Sequence, residues 1–195
     1  MELALFDFDG TISKRDSFID FIIFAIGLRR FIISSVFLSP VIVLYKLHII
    51  SNSKAKEVTF SHFFKGWNIS QFEDVASRYS KEKLPRLIKA SALKKLLWHK
   101  EKGHIVVIVS ASMEHWLKDW CAMLNFDLIA TKCQYNEGKV TGKFLTKNCY
   151  GHEKVRRIKE KYSLAHFEHI YAYGDSQGDK EMRQLADDDC YKNFV

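Results

Sequence analysis

Asp7 and Asp9 stand two residues apart, where the apolar run Leu3-Ala4-Leu5-Phe6 gives way to Asp7-Phe8-Asp9-Gly10-Thr11. Side chains at i and i+2 of a strand share a face, so the two carboxylates point the same way while Phe8 turns into the core. Paired acids repel unless a cation or a shared proton lies between them. Magnesium is the natural cation, because it takes oxygen ligands and accepts substrate phosphate in its shell. A second acidic cluster, Gly174-Asp175-Ser176-Gln177-Gly178-Asp179, follows the apolar run Ile170–Tyr173. A lone Asp in a loop is usually an N-cap or a turn residue. Two such clusters at strand ends of one parallel sheet can instead meet, bringing three or four carboxylates onto one metal.

Two further elements would complete a phosphate site. Ser110 ends the run His104–Val109, and Ala111-Ser112 reads as the opening of a helix. A hydroxyl and free N–H groups at a helix start bind anions; the plainer reading makes Ser112 an N-cap. Lys154, in Gly151-His152-Glu153-Lys154, falls near a helix start. Cations favour the other end of a helix, so a lysine there is either an ordinary surface residue or one placed for a reason.

These side chains need a scaffold. Leu3–Phe6, His104–Val109 and Ile170–Tyr173 read as buried strands, and helical stretches at Met113–Leu124, Glu153–Tyr162 and Lys180–Ala186 alternate with them. That alternation predicts an α/β fold with a parallel sheet and helical crossovers. Cys133–Leu145, turning at Asn136-Glu137-Gly138-Lys139, reads as a small β-hairpin. From Ser13 to Leu84 no strand interrupts a helical texture, which predicts a helical cap inserted between the first two core strands.

Four motifs follow in order: Asp7-Phe8-Asp9-Gly10-Thr11, Ser110, Lys154, and Gly174-Asp175-x-x-x-Asp179. The ordered set resembles the haloacid dehalogenase superfamily, subfamily IB, the branch that contains phosphoserine phosphatase. The resemblance implies a Rossmann-like core of residues 1–12 and 85–195 with a C1-type helical cap at 13–84. It implies an Mg²⁺-dependent phosphomonoester hydrolase in which Asp7 attacks phosphorus and becomes an aspartyl-phosphate. Asp9 would protonate the leaving group and then activate water. Thr11, Ser110 and the Ala111 N–H would hold phosphate oxygens, and Lys154 would neutralise charge on the phosphoryl group and Asp7. Asp175 would bind Mg²⁺ with Asp7 and the Asp9 carbonyl, while Asp179 supports the metal's waters or Lys154.

Within that branch, the apolar early cap and Cys149-Tyr150-Gly151-His152-Glu153-Lys154-Val155 are similar to bacterial phosphatidylglycerophosphate phosphatases. Phosphoserine phosphatase carries a cap glutamate nine residues after its nucleophile, which reads the substrate amino group. Here that position is Asp16, one methylene shorter, which speaks against phosphoserine. Members of the superfamily commonly continue past the fourth motif, whereas this chain stops at Val195; an incomplete sheet edge is expected.

Composition bounds the rest. The 195 residues, 47% hydrophobic, suffice for one domain with an insert. The formal charge of +7 attracts anions, whether phosphates or an acidic membrane surface, and no nucleic-acid-binding motif accompanies it. Cys121, Cys133, Cys149 and Cys190 form no zinc spacing and suit buried thiols in a reducing cytosol. Met1–Phe8 lacks the basic region and cleavage site of a signal peptide. Phe21–Leu28 and Phe31–Tyr45 carry no charge and flank Arg29-Arg30. The longer run is about 15 residues, short of the roughly 20 that span a bilayer, and Pro40 interrupts it. A buried helical hairpin is one reading, and a cap touching the inner face of a membrane is the other. Two competing functions remain. A catalytically idle binding protein would leave the full set of acids without a purpose, and a glycosidase using Asp7 and Asp9 would not need Lys154 or the second acidic cluster.

Overall fold

The computed structural model describes residues 1–191. The chain opens with β1 (Glu2–Phe6) and a tight turn at Phe8–Ile12, closed by Ser13 N–H donating to Phe8 O. Four helices follow: α1 (Ser17–Ile26), α2 (Leu28–Lys46), α3 (Asn52–Phe64) and α4 (Ile69–Arg78). A wide turn at Tyr79–Lys83 leads to the short α5 (Leu84–Leu87) and to α6 (Ala90–Glu101). Then come β2 (Ile105–Met113), α7 (Glu114–Met123), β3 (Asp127–Thr131), the hairpin β4 (Cys133–Asn136) and β5 (Lys139–Phe144), and α8 (His152–Lys161). The last elements are β6 (His169–Gly174), α9 (Lys180–Arg183) and β7 (Asp188–Tyr191).

Among the described residues the main sheet has five strands in the order β3-β2-β1-β6-β7, all paired in parallel. β1 lies at its centre, so Leu3, Ala4, Leu5 and Phe6 are fully buried. This explains why β1 reads as an unbroken apolar run: a parallel strand is covered on both faces. Among the described residues β6 and β7 close the far side of the sheet, and Val195 lies outside them.

The helical region after β1 is tied to the core by aromatic packing. Phe21 of α1 stacks on Trp116 of α7 at 4.3 Å and meets Phe64, Phe72 and Tyr79 edge-on or tilted. Pairs of this kind contribute about 0.5–1.5 kcal/mol each beyond buried area. The hairpin lies against α3, and Phe60 of α3 packs on Phe144 of β5 at 5.9 Å. These contacts hold α1 and α3 over the carboxyl ends of β1 and β2.

Three expectations are corrected. β2 runs on to Met113, so Ala111-Ser112 continues the strand and opens no helix; Met113, not Ser112, precedes α7. Pro40 does not interrupt α2. Proline cannot donate to the carbonyl of residue 36, but the Ser39 hydroxyl donates to Val36 O at 2.7 Å and fills that gap. Nor is α2 the buried arm of a hairpin: along its length only Leu38 is buried. At 19 residues and mean hydropathy 1.6 it is long and apolar enough to cross a membrane.

Candidate active site

The carboxyl ends of β1, β2 and β6 converge, and the sequence clusters converge with them. Asp7 follows β1 directly, and its N–H donates to Tyr173 O of β6 at 2.9 Å. Lys154, on the first turn of α8, is 1% exposed, which removes the surface-lysine reading. Its ammonium donates to Asp7 Oδ1 at 2.6 Å, Asp179 Oδ1 at 2.7 Å and Val109 O at 2.7 Å. All three ammonium protons are thereby used, at a position where an unpaired charge would be very costly.

Burial pushes the Asp7 carboxyl up to about 7, against the pull of Lys154. Burial works to lower Lys154, but Asp7 and Asp179 hold it above the ordinary lysine range. For Asp179 burial works upward, and Lys154 with Ser176 brings it below the usual carboxylate range. The Ser176 N–H and hydroxyl donate to Asp179 Oδ2 at 3.0 and 2.6 Å.

Asp9 points away from Lys154. Its Oδ1 accepts from Ser17 N–H at 2.7 Å, and its Oδ2 accepts from the Ser112 hydroxyl at 2.5 Å. Burial first, and the Asp16 charge second, hold its carboxyl above the ordinary range. A carboxyl raised in this way is suited to deliver a proton.

Oxygens of Asp7, Asp175 and Asp179 lie within 4.8 Å of one another. Together with Asp9 they set four carboxylates against the single buried ammonium of Lys154. An all-oxygen donor set with surplus negative charge fits a hard divalent cation such as Mg²⁺. The turn that makes this approach requires Gly10. Its φ is +83°, and a Cβ there would lie 2.4 Å from Asp175 Oδ2.

A cavity of about 160 Å³ opens over these groups, and Asp7, Asp9, Asp16, Ala111, Lys154 and Asp179 all line it. Asp16 also caps α1, its Oδ1 accepting from Phe18 and Ile19 N–H at 2.9 and 3.1 Å. Two residues expected at phosphate oxygens each make one hydrogen bond within the protein, and accepting a bond leaves the Ser110 proton able to donate. The Thr11 hydroxyl donates to Asp175 Oδ1 at 3.0 Å, and Ser110 Oγ accepts from Ser112 N–H at 3.0 Å. The sequence reading missed Asn52, Lys56, Tyr150 and Ser176, which line the same cavity. Lys56 reaches in from α3 and donates to Ala111 O at 3.1 Å. In sequence it is one of several basic residues on a helix, and only the packing of α3 against the hairpin distinguishes it.

A haloacid dehalogenase-like hydrolase profile matches residues 4–184. The chain belongs to that family. Within this hydrolase family it is 31% identical over 194 residues to Protein CicA of Caulobacter vibrioides, covering 98% of this chain and 86% of the relative. It is 29% identical to "Probable phosphatase Rv3661" of Mycobacterium tuberculosis, covering 94% of this chain and 66% of that protein. The haloacid dehalogenase-like fold is shared with a Bordetella pertussis Tohama I protein of unknown function: TM-score 0.82, 19% identity, 95% of this chain and 86% of that one. A phosphoserine phosphatase solved as a phospho-aspartyl intermediate analogue superposes at TM-score 0.60 with 21% identity, covering 94% of this chain and 82% of that one.

Proposed function

We propose that this hydrolase cleaves phosphate monoesters through an aspartyl-phosphate on Asp7. The observation that carries the reading is the position of Asp7, which lines the cavity, shares the Lys154 ammonium with Asp179 and lies with Asp175 and Asp179 in one cluster of carboxylates. An Asp7 oxygen attacks phosphorus, and the bond to the leaving oxygen breaks as Asp9 gives it a proton. Asp9, now ionised, takes a proton from water, which attacks phosphorus and frees Asp7. Splitting one hard displacement into two is the benefit of a covalent nucleophile. Lys154 neutralises charge on Asp7 and on the transferring group, where phosphoryl transfer needs it most. Ser17 and Ser112 hold Asp9 in place for both proton transfers.

Asp7, Asp175 and the Asp9 carbonyl would hold Mg²⁺, with Asp179 positioning Lys154 and the metal's waters. When bound, the ion would supply further positive charge to the transferring phosphoryl group. The core is residues 1–12 and 85–195, and the cap, 13–84, contributes Asp16, Asn52 and Lys56 to the cavity. The Ala111 N–H, Ser110 and Thr11 would hold phosphate oxygens, and Ser110 and Thr11 also bond Ser112 N–H and Asp175 beside the site.

The substrate is a lipid phosphate monoester, of the kind that phosphatidylglycerophosphate phosphatases cleave, met in the cytoplasm at the inner membrane face. The exposed apolar surface of the cap supports this, because a small polar ester needs no such surface. Phosphate release with Mg²⁺ from phosphatidylglycerophosphate, phosphoserine, sugar phosphates and nucleotides tests it. The expected result is the highest kcat/KM on the lipid. A preference for phosphoserine would overturn the substrate class, and no release from any ester would overturn the phosphatase.

A further inference from the structure

We propose that the outer face of α2 lies in the surface of an anionic membrane leaflet. The outer face of α2 is apolar and bare, and Leu47 just past its end extends it. Ile33, Val36, Phe37 and Leu47 are 64%, 68%, 73% and 62% exposed, and Val43 adds to the same stripe at helical spacing. The inner side is apolar as well: Leu38 is buried, and Phe31 stacks on Phe63 of α3 at 6.0 Å. A helix that is apolar all round is at home in a core or in lipid, and this one finds protein on one side alone. Contiguous bare apolar surface of this kind marks a site of contact.

Charge identifies the occupant. Residues 21–56 contain no Asp or Glu, yet carry Arg29, Arg30, Lys46, Lys54 and Lys56. Arg29, Arg30 and Lys46 bracket the stripe and are exposed. A basic rim around an apolar strip matches anionic headgroups above acyl chains. A second copy of the chain fits poorly, since pairing α2 with itself would crowd basic residues with no acid to balance them. A span fits poorly too, because the inner side of α2 is held against α3.

The far end of α2 touches the site. The Asn52 amide donates to Tyr45 Oη at 3.3 Å, and Asn52 lines the catalytic cavity. Tyr45 shares the inner face of α2 with Leu38 and Phe31, so a leaflet under the outer stripe lies one helix diameter, roughly 10 Å, from this contact. The substrate side of this inference rests on the lipid-phosphate reading; the surface itself does not.

Sedimentation of the full chain with vesicles separates the two. Vesicles of phosphatidylcholine with phosphatidylglycerol should bring the protein down, and phosphatidylcholine alone should do so much less. Arg29→Glu with Arg30→Glu should weaken binding about 30-fold, at roughly one decade or less per basic residue near such a surface. Ile33→Asp with Val36→Asp should abolish it, and both variants should keep wild-type turnover of a soluble monoester. The catalytically dead Asp7→Asn protein should still sediment, so a failed lipid assay would remove the substrate reading and leave the surface standing. Several results would overturn the surface: wild type that stays in solution, variants that sediment as wild type does, an α2-dependent dimer that ignores vesicles, or membrane-bound protein that resists carbonate extraction as a span would.

Discussion

Lys154 donates to Asp7 across 2.6 Å, and both residues are buried beneath the cavity. The ammonium is shared with Asp179, so one cation serves the nucleophile and its neighbour together. Replacing it by the similarly shaped methionine removes that cation and leaves two buried carboxylates without it. Breaking a buried pair in this way costs about 3–5 kcal/mol. Lys154→Met should lower the urea midpoint accordingly at pH 7 and abolish turnover. A stability change below about 1 kcal/mol would show that the ammonium does not hold these carboxylates.

Excess EDTA should stop phosphate release, and Mg²⁺ should restore it. Asp175→Ala should raise the Mg²⁺ needed for half-maximal rate by at least about tenfold, since even outer-shell partners tune metal affinity that much. A rate unchanged by chelation would remove the metal from the account.

Gly10→Ala forces a side chain into a left-handed turn and against Asp175 Oδ2. Strain at such a position costs about 1–3 kcal/mol. Thermal melting should show that loss, and turnover should fall more than about tenfold because Asp175 must move. Wild-type stability together with wild-type rate would mean that the loop is less confined than its geometry indicates.

His99, in the last turn of α6, is buried, with Nε2 2.9 Å from Tyr173 Oη. Burial, then His104 and Lys95, bring its imidazole down to about 3. The unfolded chain takes a proton near pH 6.5 and the folded chain does not, so stability falls as pH drops from that point toward 3. The slope approaches about 1.4 kcal/mol per pH unit for this group. Asp7, raised by burial, contributes with the opposite sign between about pH 7 and 4. The test is therefore a comparison: His99→Gln should flatten the loss of stability between pH 6.5 and 4.5 relative to wild type. Parallel curves would show that His99 is already protonated in the fold.

The site was largely legible in the sequence because its chemistry is local. Asp7-Phe8-Asp9-Gly10-Thr11 and Gly174–Asp179 each combine a strand end with a turn, and strand ends of a parallel sheet must meet. The edge strands β3 and β7 were not read, because Asp127-Leu128-Ile129-Ala130-Thr131 and Asp188-Asp189-Cys190-Tyr191 carry polar or mixed patterns typical of edges. Ser112 was placed at a helix start because the strand and helix signals abut, and the periodicity gives no boundary between them. Lys56 and Tyr150 reach the cavity through tertiary packing alone. The apolar composition of α2 was plain, but only the fold reveals which of its residues remain bare.

The most direct measurement is on Asp7 itself. Wild-type protein mixed with a phosphate monoester and Mg²⁺, then quenched in acid, should yield a peptide containing Asp7 that carries one phosphoryl group. Asp7→Asn should show neither the adduct nor turnover, with a rate loss of at least about 10³-fold. A phosphoryl group found on another residue, or Asp7→Asn activity within tenfold of wild type, would contradict Asp7 as the nucleophile.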